Sequence, residues 1–298
     1  MIVSGARWRV LLGVTALLVT ACTDSRPQPP VAKRIADVSR GKRLSAVDEA
    51  RRALPTDRAL LLLVGGAGSD NRGPYRGARD TAGLHGGTII GRVEGSAPVA
   101  GDFAVTPTHD VRVCKPFTET RMPSQDGGVG DAVVWLVGVT TGPMPSAPRR
   151  ASLTLDRCRL EPRVQQVAVG GTLQVISRDA MTSRLRFLDA GGSGAVRTLV
   201  ALSDAGQVVP TAAVALTPGL VEVRDDLHPW IRAWVAVTSH PFVAITEPGG
   251  NFRFDSVPPG SYTLVIWQEQ LGTRSRALQV VSGVETRIRI AYDAQSEK

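Results

Sequence analysis

Histidine is scarce in this chain: four of 298 residues, at His85, His109, His228 and His240. None sits in a nucleophile-elbow or zincin pattern, and so few imidazoles leave little material for catalysis or for a metal centre. Aromatic residues make up only 5%. No run of arginine and lysine is interleaved with them, which argues against nucleic-acid binding. The glycine-rich Gly65 to Gly68 lacks the Lys-Ser/Thr of a phosphate loop, and Ser193 reads as part of a flexible Gly-Gly-Ser-Gly loop. The apolar stretch Val10 to Ala21 is too short for a spanning helix, which needs roughly 20 residues. Cysteine occurs three times, never as Cys-x-x-Cys and never beside histidine, so a redox or metal role is not indicated. No enzyme is expected.

What is present begins with Arg7 and Arg9 ahead of that apolar stretch, the charged and hydrophobic regions of a secretory signal over residues 1–21. The residues Leu18, Val19, Thr20, Ala21 and Cys22 resemble the lipobox of bacterial lipoproteins. That resemblance implies acylation of Cys22 and a membrane partner reached through the lipid. It also implies an exported lipoprotein, on the outer membrane or periplasmic face if the host is Gram-negative. The net charge of +8 falls to about +6 without the two signal arginines, and its spread along the chain points to no particular partner.

Setting Cys22 aside leaves Cys114 and Cys158, an even pair in a chain sent to an oxidising compartment, and hence a disulfide. Closing a loop of 44 residues stabilises a fold by about 4 kcal/mol on the chain-entropy model. Residues 22–86 are poor in aromatics and rich in Arg, Pro, Gly and Ser, as in a tether. A short helix is plausible at 45–54, where Ser45 can cap, and Ala59 to Val64 has the length of a buried strand.

After Gly87 short runs of β-branched and aromatic residues recur about every ten residues, punctuated by Gly and Pro, which predicts an all-β fold. The clearest alternation sets Ile288, Ile290 and Tyr292 against Arg287 and Arg289. Glu247 to Gly250 reads as a turn, and Pro259-Gly260 as a type II turn. The series Gly250, Phe252, Phe254, Val257, Pro258, Pro259, Gly260, Tyr262 and Leu264 resembles carboxypeptidase regulatory-like domains. These are small transthyretin-like sandwiches grouped with carbohydrate-binding-like folds, and the match covers 239–294, while Gly87 to Glu94 resembles the opening strand of such a domain as well as of a cupredoxin.

The segment 87–238 resembles a cupredoxin-like Greek-key sandwich. The resemblance rests on Asp126-Gly127-Gly128, Leu160-Glu161-Pro162, the strands from Val164 and Thr172 around Gly170-Gly171, and Asp226 to Trp230. Some proteins of this kind are methylamine-utilisation-like. The family's copper ligands are a histidine after the paired strands and a Cys-x-x-His-x-x-Met group. Here the first histidine falls at Ser183, or at Thr182 or Arg184, while Asp225 stands for the cysteine and Ile231 for the methionine. His228 alone is kept. Without a thiolate, blue-copper electron transfer loses its defining bond, so no cofactor is expected.

The leading expectation is therefore a non-catalytic envelope lipoprotein that binds or supports an unidentified envelope protein. A glycan-binding module using Trp230, Trp234 and Trp267 is a second reading, although the phase of Trp267 with Val265 suits a core residue. A remodelled metal site of Asp225, His228 and His240 is a third. In the blander reading His228 is a structural histidine in a turn fixed by Pro229, with Trp230 packed beneath it.

Overall fold

The computed structural model describes residues 75–78, 85–95, 102–190 and 194–292. The signal segment, Cys22, the expected helix 45–54 and the run Ala59 to Val64 lie outside them. Apart from one 3₁₀ turn, Ala213–Ala215, the regular elements among the described residues are all strands. They are β1 Arg76–Ala78, β2 Gly87–Gly95, β3 Asp102–Val105, β4 Phe117–Thr120, β5 Val133–Val137, β6 Thr141–Pro143 and β7 Arg150–Asp156. Next come β8 Arg159–Glu161, β9 Val164–Ala168, β10 Thr172–Ser177, β11 Ser183–Asp189, β12 Val196–Leu202, β13 Val208–Thr211 and β14 Gly219–Asp225. The last are β15 Arg232–Thr238, β16 Val243–Ile245, β17 Asn251–Val257, β18 Gly260–Gln268, β19 Gly272–Val280 and β20 Glu285–Tyr292.

Four main sheets result, in the orders β13-β10-β7-β8, β12-β11-β14-β15-β9, β16-β5-β18-β19 and β17-β2-β20. Two short pairs, β1 with β6 and β3 with β4, complete the list among the described residues. Alternation decides what each face meets. On β7 it sends Ala151, Leu153 and Leu155 inward, where they join Leu173, Leu185, Phe187 and Val223 in a core between the first two sheets. A second core, between the last two sheets, holds Ile89, Leu136, Phe254, Leu264, Ile266 and Ile288. A third apolar layer joins the two sandwiches across the outer faces of β5, β14, β15 and β18, with Trp135, Leu220, Trp234, Ala236 and Trp267.

The path of the chain differs from a division at Ser239. Strand β2 pairs with β17 and β20, and β5 pairs with β16 and β18, so two strands N-terminal to that residue complete the C-terminal sandwich. β5 lies between β16 and β18 and β2 between β17 and β20, so these two strands join the C-terminal ones and supply the inward-facing Ile89, Val93, Val134 and Leu136. The tether expected through residue 86 also contributes β1, which pairs in parallel with β6.

Local turn chemistry is partly as expected. The Gly250 N–H donates to the Glu247 carbonyl at 2.7 Å, and Gly250 holds φ at +76°, where glycine carries no steric cost. Pro259-Gly260 is not a type II turn, because Gly260 opens β18 without positive φ. The left-handed residue is instead Ser256 (φ 56°), at the register shift between Phe254 and Val257.

Candidate functional site

The positions matched to copper ligands are gathered at one end of the first sandwich. On β14, Val221, Val223 and Asp225 share the inward face, and on the paired β11 so do Ser183, Leu185 and Phe187. The same alternation that buries the apolar residues thus carries Ser183 and Asp225 inside, with Ser183 fully buried and Asp225 nearly so. Thr182 and Arg184 point outward, which leaves Ser183 as the position facing Asp225.

A buried carboxylate needs hydrogen-bond partners, and Asp225 has four. Its Oδ2 accepts from the Ser183 hydroxyl and from His228 Nδ1 at 3.0 Å. Its Oδ1 accepts the backbone N–H groups of Arg184 at 3.1 Å and Leu227 at 2.9 Å. These donors take up the roughly four lone-pair sites a carboxylate offers. His228 is fully buried in the turn between β14 and β15, where the Ile231 N–H donates to its carbonyl at 2.9 Å. Its other ring nitrogen, Nε2, lies 2.8 Å from Asp110 Oδ2.

Trp230 packs edge-on against the imidazole, with ring centroids 5.3 Å apart, and His109 stands on another side at 6.4 Å. Ile231 belongs to the apolar core. Each imidazole nitrogen thus faces a carboxylate oxygen, that of Asp110 from an exposed loop, and the hydroxyl is spent on Asp225. Both His228 nitrogens meet carboxylates and neither meets the Ser183 hydroxyl, which is fully buried, so the Ser, His and Asp residues do not form a nucleophilic triad.

His240 does not join this group. It follows β15, whose seven residues separate it from His228 by about 20 Å along the strand. It sits instead by a cavity of about 20 Å³ between the sandwiches, lined also by Trp135, Leu220, Thr238 and Val243. Its Nδ1 is shut off from solvent with no hydrogen-bond partner among the described residues, and burial pushes its pKa down to about 4. Among the described residues no cluster of three or more His, Cys, Asp or Glu is placed to hold a metal ion.

The tryptophans do not form a sugar platform. Trp234 and Trp267 are 9% and 7% exposed and pack on each other at 4.5 Å in the layer between sandwiches. Trp230 is half-buried against the first core and His228. Saccharide stacking needs an open aromatic face, which the Trp234 and Trp267 rings lack.

Asp225 and Asp226 diverge as adjacent strand residues do: Asp226 faces out and pairs with Arg186 at 2.8 Å. Cys114 and Cys158 are joined as a disulfide. Cys158 lies in the two-residue loop between β7 and β8, where Arg157 and Cys158 hold φ at 50° and 60°. The buried Asp179 carboxylate accepts both of their N–H groups, at 2.9 and 2.7 Å.

Sequence reasoning missed Asp110, which comes from the loop between β3 and β4, and it missed a buried ion network. Arg163 forks onto Glu269 at 2.7 and 2.8 Å and reaches Glu119 at 2.6 Å. Burial works against its charge, but the bonds to Glu269 and Glu119 outweigh it and hold the guanidinium above its usual range. Burial also raises Asp131, with Arg163 opposing and Glu269 adding to the rise. No local motif announces these contacts, since the partners come from distant parts of the chain.

No family model and no curated protein matches the chain. Among solved structures, a purple cupredoxin from Nitrosopumilus maritimus is similar at 18% identity and TM-score 0.25, over 30% of this chain and 99% of that one. A reduced amicyanin variant is similar at 20% identity and TM-score 0.26, over 30% of this chain and 81% of that one. A copper-containing nitrite reductase from Thermus scotoductus is similar at 17% and 0.24, over 34% of this chain and 24% of that one. Likeness this slight carries no statement about ligands or activity.

Proposed function

We propose that the chain is a non-catalytic envelope lipoprotein whose paired β-sandwiches form a rigid binding or structural module, the first being a cupredoxin-like domain that has given up its copper site. The observation that carries this reading is the saturated Asp225 carboxylate, bonded by Ser183, His228 and two backbone N–H groups where the family places a free thiolate. A metal ion there would have to displace buried hydrogen bonds whose loss costs about 1–3 kcal/mol for each group left unpaired. Joining of the two sandwiches by an apolar layer and by Arg163 suits a part that holds its shape under load.

The partner is an envelope protein, and lipidation at Cys22 keeps the module at the membrane. Crosslinking in intact cells followed by purification in mild detergent tests this. One envelope protein recovered in fixed ratio, and lost when Cys22→Ser releases the chain, is expected. Recovery of the chain alone would overturn the reading.

A further inference from the structure

Outside the Asp225 cluster, one group of side chains has a chemistry of its own. The Sδ of Met181 lies 3.5 Å from Cys114 Sγ and 3.8 Å from Cys158 Sγ, so a thioether touches both halves of the disulfide. All three residues are buried, at 4%, 2% and 0% exposure. They converge from separate parts of the fold: Cys114 from the loop between β3 and β4, Cys158 from the turn between β7 and β8, and Met181 from the segment before β11. Sulfurs about 4 Å apart can share one ion at metal–sulfur lengths of about 2.3 Å.

We propose that, once the disulfide is reduced, Cys114, Cys158 and Met181 form a binding site for one Cu(I) ion. Two thiolates and a thioether make an all-sulfur, three-donor set, which selects a soft monovalent cation over magnesium, calcium or manganese. The Asp179 carboxylate already accepts the Arg157 and Cys158 N–H groups, so it acts as a support and not as a ligand. It fixes the backbone of Cys158. Cys114 is on the more open side, flanked by exposed Val113 and Lys115, and its loop is the part that gives way to admit the ion.

The reductant is a dithiol. It delivers two electrons and two protons to the Cys114–Cys158 bond, leaving two thiols and its own cyclic disulfide. Each thiol then releases its proton to solvent as its sulfur binds the metal, and copper enters and stays as Cu(I). The site is distinct from the positions matched to a blue-copper centre, and it is closed while the disulfide is intact.

The test uses the full chain carrying Cys22→Ser, so that Cys114 and Cys158 are the only thiols. The protein is reduced anaerobically with dithiothreitol, freed of it, and titrated against Cu(I) held by bicinchoninate. The reduced protein is expected to withdraw one equivalent and the disulfide form none. Met181→Leu, a volume-conserving change, is expected to weaken uptake at least tenfold, whereas Met144→Leu, at an exposed methionine, leaves it unchanged. Equal uptake by the disulfide form, unchanged affinity in Met181→Leu, or no uptake by the reduced chain would each overturn the proposal. So would loss of the near-ultraviolet circular dichroism of the tryptophan layer on reduction, because the three sulfurs meet only in the folded sandwich.

Discussion

At the scale of single residues, the cluster around His228 shows how buried polar groups satisfy one another. A carboxylate at Asp225 and a hydroxyl at Ser183 satisfy each other and the imidazole, so His228 is retained as an anchor for its turn. Removing the hub strands its partners: Asp225→Ala should destabilise the fold by about 3 kcal/mol in denaturant unfolding, because it leaves the Ser183 and His228 groups buried and unpaired. If the three positions do descend from a copper set, the combined change Ser183→His, Asp225→Cys and Ile231→Met should yield a protein that takes up copper and shows an intense visible thiolate band. A folded but colourless variant would contradict that.

His240 gives a second residue-scale prediction. Its folded pKa of about 4 lies below the ordinary 6.5, so the unfolded chain takes up this proton first on acidification. Stability from this group is unaffected above pH 6.5 and falls as pH drops from 6.5 to 4, by at most about 3 kcal/mol. The variant His240→Leu should lose that part of the acid sensitivity, and parallel stability–pH curves for the two proteins would show the burial to be without consequence.

At the scale of elements, alternation was legible wherever one face meets water. The set Ile288, Ile290 and Tyr292 is buried on β20, with Arg287 outside. β15 was harder to read because both its faces are covered: Ala233, Val235 and Val237 enter one core, and Trp234 and Ala236 enter the layer against the other sandwich. A strand buried on both sides loses the polar half of its pattern, so the phase of Trp234, shared with Arg232 and Ala236, does not by itself place it in a core. Ser183, Asp225 and His228 could be nominated from a family pattern, but their mutual hydrogen bonds depend on the β11–β14 register, which no local sequence states. Asp110 arrives from 118 residues away and was invisible for the same reason.

Close packing within β2 is equally specific. A Cβ on Gly91 would come within 2.0 Å of the Phe252 ring, so the ring of β17 lies directly over a glycine of β2. Gly91→Val should therefore cost about 1–3 kcal/mol through overpacking, read as a lower unfolding midpoint. Thr88→Val, on the opposite face of the same strand, should change it little.

At the scale of the whole molecule, the two sandwiches are one stack of four sheets with three apolar layers, and their chain segments interleave. The Arg163 fork fixes how they meet. Arg163→Met would leave Glu269 buried without its counter-charge and Glu119 paired with Arg121 alone, and a loss of about 3–5 kcal/mol is expected in equilibrium unfolding. A change below 1 kcal/mol would mean that the carboxylates are already solvated or paired elsewhere. Interleaving also predicts that a fragment beginning at Ser239 does not fold by itself, since β2 and β5 would be missing from its sheets.

On the proposed function, the positions matched to copper ligands in the first sandwich take no metal. The most direct measurement is the metal content of the disulfide-intact protein after exposure to Cu(II) and Zn(II), beside His228→Ala. No stoichiometric metal is expected in either protein. One equivalent bound by the parent chain and lost in His228→Ala would contradict it.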